Sequence, residues 1–238
     1  MIRTPRLLHA VCRLAALVGA CLGVAAQAQT PLRDQEIAQC LPNEVATWGD
    51  GQDRPVATGA LLLAYRHDEA PPWFSAEQVL ATVQRAAQAW SACGIGVQVQ
   101  AVAPGGRVPP GAVLVLWSDA AASGNFGLAN LRTYSLALGP AAFRTLNQRN
   151  PAHPAGDTLQ MVVSHEMGHF FGLMAHSRRC VDVMSYYDNG RGERCFTRAG
   201  AMPAVRGDYR ALLPTACDIA RCRAVNAGTL AAAAPRQP

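Results

Sequence analysis

His165, Glu166 and His169 stand in the order H-E-x-x-H within the run SHEMGHFFGLMAHSRRCVDVMSYY, residues 164–187. On a helix, positions four apart share a face, so both imidazoles can aim a ring nitrogen at one point roughly 2.0–2.1 Å away, the distance at which zinc binds imidazole. Glu166 sits beside the first imidazole and reaches the outer side of such an ion. There its carboxylate can take a proton from a bound water whose pKa zinc lowers to ~7. The spacing therefore points to metal-assisted hydrolysis. The competing reading is an amphipathic core helix with incidental histidines.

A site of this kind needs a third protein ligand. Gly172 suits the left-handed turn just past a helix, and the irregular chain beyond it offers candidates. His176 is the expected third ligand, and Asp182 and Glu193 are the carboxylate alternatives. His67 and His153 lie in loop-like contexts with no partner at ligand spacing, and read as solvated side chains.

His165, Glu166, His169 and Gly172 match H-E-x-x-H-x-x-G, and Val183-Met184-Ser185-Tyr186 has the form of a methionine turn. The stretch resembles the metzincin clan of zinc endopeptidases, whose next signature histidine would fall where this chain has Ala175. His176 arrives one position late. A one-residue insertion past Gly172 alters only a loop, whereas the same slip between His165 and His169 would turn the helical face by about 100°. The resemblance covers roughly residues 59–213. It implies a zinc-dependent endopeptidase with Glu166 as general base, and Met184 flooring the site without binding metal. It also implies that Tyr186 lies near the zinc, binding it or steadying the oxyanion. As plain residues, both read equally as core filler.

By the same resemblance, a peptide substrate would be laid as an added strand along the edge at 124–130, a segment that otherwise reads as a surface hairpin. Two alternatives from other classes stay open. One is a catalytically silent binding module stabilised by zinc and disulfides, the other a zinc hydrolase acting on a non-peptide bond. The presence of Glu166 favours an enzyme, since a silent module needs no carboxylate there.

The elements that must position these residues point to an α+β, zincin-like fold: a twisted mixed β-sheet, a backing helix, an active-site helix, and a loop-rich C-terminal part with disulfides. Residues 59–66 read as a buried strand. Ser75 opens a helix with Gln78 three residues on, a capping box. Val79, Val83, Ala86, Ala87 and Trp90 give it an apolar stripe, and Gly94 ends it. Strands are predicted at 95–102, 113–117 and 133–138, with an edge strand within 123–130. Residues 150–156 read as a surface loop, after which Asp157 is expected to cap the motif helix. Beyond Gly172 the chain reads as loop to about 202, with a helix expected at 202–213.

Residues 1–28 read as a signal peptide, from Arg3 and Arg6, the apolar run 14–26 and the small-x-small site Ala26-Gln27-Ala28. A rival reading makes Cys21 a lipidated cysteine. Residues 29–58 read as an extended lead-in or short pro-segment, 59–223 as the metalloprotease domain, and 224–238 as a disordered tail. Outside 1–28 no segment is long and apolar enough to cross a bilayer. All 21 basic residues are arginine; three fall in 1–28, so 18 face 16 acidic residues, a balance that argues against nucleic-acid binding. The expectation is a secreted or periplasmic monomer acting on a protein or peptide substrate.

Six cysteines follow the signal segment, and even parity in an exported chain implies up to three disulfides. Loop lengths favour Cys217 with Cys222, Cys180 with Cys195, and Cys40 with Cys93. Cys40 has a second reading as a thiolate latch on the metal.

Overall fold

The computed structural model describes residues 29–200 and 209–233. Its centre is a five-stranded sheet in the order β2-β1-β3-β5-β4, from β1 (Ala60–Arg66), β2 (Gly96–Val102), β3 (Val113–Trp117), β4 (Gly127–Asn130) and β5 (Ser135–Leu138). All pairings are parallel except that of β4 with β5, which places an antiparallel strand at one edge. Parallel neighbours need a crossover, and β1 returns to β2 through helix α2 (Ala76–Ser91).

The Ser75/Gln78 capping box is formed as read, and Val79, Val83, Ala86, Ala87 and Trp90 are buried. Helix α2 packs on the motif helix α5 (Ala155–Phe170), where the Trp90 indole donates to the Ser164 carbonyl at 2.8 Å. Trp90 also stacks on Phe171, fixing the far end of α5. Helices α3 (Asp119–Ala122) and α4 (Pro140–Arg149) complete the central part, α4 opening on a proline whose fixed φ suits a first turn.

The remaining helices correct the sequence reading. Residues 29–58 are not wholly extended, because α1 spans Gln29–Ala38. Its periodicity is weak; it is held by Glu36, fully buried against Arg179 and the Tyr209 hydroxyl. Helix α5 starts at Ala155, before Asp157, since Pro154 presets the entry and its carbonyl accepts from Asp157 and Thr158. Asp157 instead sits in the first turn, where a carboxylate suits the helix dipole.

The helix expected at 202–213 lies partly outside the described residues, and 209–213 is not helical. There Ala211 donates to the Val181 carbonyl, and Pro214 disfavours helical backbone just before it. The tail expected to be disordered from 224 is helical up to Ala233, through α6 (Ala216–Val225) and α7 (Ala227–Ala233). Leu230 of α7 packs over Gly94, and Thr229 bonds the Val56 carbonyl.

Three cysteine pairs are at disulfide distance: Cys40 with Cys217, Cys93 with Cys222, and Cys180 with Cys195. Only the last agrees with the expected map. Cys217 and Cys222 lie five positions apart on α6, roughly 140° around the helix, and so face different neighbours. Because Cys40 is paired, the latch reading falls. No helix among the described residues is long and apolar enough to cross a membrane.

Candidate metal centre

Helix α5 presents His165 and His169 on one face, and its end decides where the chain goes next. Leu173 N–H donates to the Gly168 carbonyl and Gly172 N–H to that of His169, the paired bonds of a Schellman turn. Gly172 has φ +96°, and a Cβ there would collide with the Arg54 carbonyl. Glycine is therefore required on two counts. The turn also delivers the Leu173 carbonyl to His169, whose Nδ1 donates to it at 2.7 Å.

The same logic repeats at the other two imidazoles. His165 Nδ1 donates to the Val183 carbonyl at 2.7 Å, and His176 Nδ1 to Asp50 Oδ2 at 2.7 Å. Carbonyls and carboxylates only accept, so each Nδ1 must carry the proton and each Nε2 its lone pair. The three histidines offer ligand atoms within 4.8 Å of one another. Nε2 of His176 is buried without a hydrogen-bond partner. Burial is the main cause holding all three imidazoles below their ordinary pKa, His169 at about 4, so the rings are neutral near pH 7. A buried, unpaired nitrogen facing two other neutral nitrogens is a donor set that fits a metal ion.

The extra residue between Gly172 and His176 is absorbed in a turn held from both sides. Met174 and Ala175 N–H groups donate to Asp53 Oδ1, and Arg221 of α6 bonds both Asp53 oxygens and the Ala175 carbonyl. Beyond it, Asp218 of α6 accepts from Val183 N–H at 2.9 Å, holding in place the residue whose carbonyl His165 bonds. Met184 is fully buried beneath the helix, and a Cβ on Gly168 would collide with its sulfur.

The structure thus brings His165, His169 and His176 together and leaves the two carboxylate alternatives elsewhere. Asp182 is buried, its oxygens bonded to Ser177 and Thr215 hydroxyls. Glu193 is exposed and bonded to Asn189. His67 bonds the Tyr65 hydroxyl and His153 that of Thr158. Asp50, Asp53, Asp218 and Arg221 were missed by sequence reasoning. Only Asp218 left a signal, as the last residue of the capping box Thr215-Ala-Cys-Asp218.

Glu166 lies beside the triad, its Oε2 accepting from Ala129 N–H of β4 at 2.8 Å. Burial pushes its carboxyl up to about 7 against that bond. Gly127 lets β4 come this close, since a Cβ there would strike Val162 and Glu166. The Tyr186 ring stacks on His176 with centroids 3.8 Å apart, and burial of its hydroxyl raises its pKa. A cleft of about 350 Å³ runs between β4 and these groups, lined also by Met161, Val162 and Arg210.

No protein-family model matches the chain, and no curated protein matches it. Among solved structures it is similar to the GM1-bound form of the ECX AB5 holotoxin, at TM-score 0.44 and 14% identity over 79% of this chain and 91% of that one. It is also similar to archaemetzincin from Methanopyrus kandleri, at TM-score 0.43 and 14% identity over 71% of this chain and 97% of that one. Both likenesses are distant, and neither assigns a family.

Proposed function

We propose that the chain is a secreted zinc-dependent endopeptidase of zincin-like fold, with His165, His169 and His176 as metal ligands and Glu166 as general base. The observation that carries this reading is the convergence of three Nε2 lone pairs on a cleft whose other wall is the edge strand β4. Three neutral imidazoles with one position left open are the ligand set of a catalytic zinc. Zinc held there would act as a Lewis acid on water and on the scissile carbonyl.

The chain's own residues supply the rest. A peptide laid along β4 would bond its outer edge, bringing a carbonyl between Glu166 and the triad. Glu166, with Oε2 tethered to Ala129, takes a proton on its other oxygen from the attacking water and returns it to the leaving amine. Its raised pKa suits both tasks near neutrality. Tyr186, kept protonated, donates its hydroxyl to the developing oxyanion. Three disulfides suit an oxidising compartment, in keeping with export.

The test is metal analysis combined with digestion of a denatured general substrate by the wild type and Glu166→Gln. One zinc per chain in both proteins, with cleavage by the wild type alone, is expected. If both bind one zinc and neither cleaves, the silent binding module replaces this reading.

A further inference from the structure

Arg210 is the one arginine among the described residues that lines the cleft, and its donors are poorly used. Its Nη1 reaches only the Met161 thioether at 3.3 Å, its Nε is buried with no hydrogen-bond partner, and it joins no ion pair among the described residues. The guanidinium lies over the Tyr187 ring, 5.0 Å from the centroid. That contact sets the charge over the ring and supplies no lone-pair acceptor for the N–H groups. A thioether is a weak acceptor, and a buried donor without a partner is costly. Arg33, nearby, has already committed Nε and Nη2 to the carbonyls of Tyr209 and Arg210. Apart from Glu166, no carboxylate among the described residues lines the cleft.

We infer that Arg210 is a specificity residue that receives a carboxylate of the substrate, so that the protein prefers peptides with an acidic side chain next to the cleaved bond. The inference rests on the endopeptidase reading. Its register follows from geometry: Met161 lies four positions before His165 on the same face, about 6 Å along α5. An extended peptide advances about 3.3 Å per residue, so the acidic residue falls within about two positions of the scissile bond. The planar fork of arginine matches a carboxylate, and the stacked Tyr187 holds it in place.

The probes are labelled decapeptides that carry a single glutamate scanned through the sequence, each matched by a glutamine twin. With Glu166→Gln as an uncleaving binder, glutamate at the favoured position should bind at least about tenfold more tightly than glutamine, the scale of a charge-assisted contact. In Glu166→Gln/Arg210→Gln that ratio should fall to near one, and Arg210→Lys should restore part of it. Zinc content and melting temperature identify properly folded variants. Wild-type cleavage should follow the same order, with the difference mainly in KM. Equal affinity for every pair, or a preference that survives Arg210→Gln, overturns the inference. Acidic preference in binding with no cleavage by the wild type supports Arg210 and sinks the endopeptidase reading, so the two failures are distinguishable.

Discussion

Asp50 holds His176 twice: its carboxylate accepts from the main-chain N–H at 2.8 Å and from Nδ1 at 2.7 Å. One bond places the residue and the other turns its ring, so Nε2 faces His165 and His169. Asp50→Ala should therefore lower metal affinity by about 10–100-fold, the usual cost of losing a ligand's carboxylate partner. Chelator competition measures it; unchanged affinity would show that the ring is fixed by its stacking on Tyr186 instead.

His176→Ala should cost more, beyond about 100-fold, because it removes a ligand and not merely its support. Asp182→Asn should leave affinity near native, since Ser177 and Thr215 occupy that carboxylate. The His176 variant should also become sensitive to proteolysis within 172–184, because binding energy and loop order are coupled. Zinc titration of both variants decides, and a large loss in Asp182→Asn alone would move the ligand there.

Acid should weaken the fold through Glu44. Its bond to Arg198, helped by Arg179, holds its pKa at about 2 against 4.5 for the free group. A depressed folded pKa means stability that is fully present above about 4.5 and lost as pH falls towards 2. In Glu44→Gln the acid limb of the melting temperature against pH should flatten across that window. A parallel limb in both proteins would assign acid loss to other carboxylates.

Replacing Cys40 and Cys217 together by serine should cost about 2–5 kcal/mol, as a long covalent loop in the unfolded chain is released. Metal affinity should change little, because neither sulfur is among the three histidine ligand atoms. Denaturant unfolding gives the first value. A free Cys40 thiol in non-reducing peptide maps would remove the basis of this prediction.

What could be read from the sequence was local. The Ser75/Gln78 box, the stripe ending in Trp90, the apolar run 113–117 and the Gly172 stop each depend on neighbours within one element. His176 was reachable because a loop insertion keeps the helical face. The partners that aim the rings were not reachable, since Asp50 acts across 126 positions and carries no periodic signal. Helix α1 escaped for a related reason: Glu36 earns its burial only when Arg179 and Tyr209 surround it. Loop length placed Cys180 with Cys195 but misassigned the other two disulfides, because it says nothing of which way a helix points two cysteines.

The two grips on the metal loop come from opposite parts of the chain: Asp50 lies 126 positions before His176, and Asp218 lies 35 after Val183. Synthesis proceeds from the N-terminus, so all three imidazoles exist before the residue that holds the Val183 N–H has been made. A chain that stops short of residue 216 would therefore leave Val183, the residue whose carbonyl braces His165, without its hold on α6. Any metal bound at the triad would meet all three imidazoles in their final geometry only once that brace is in place.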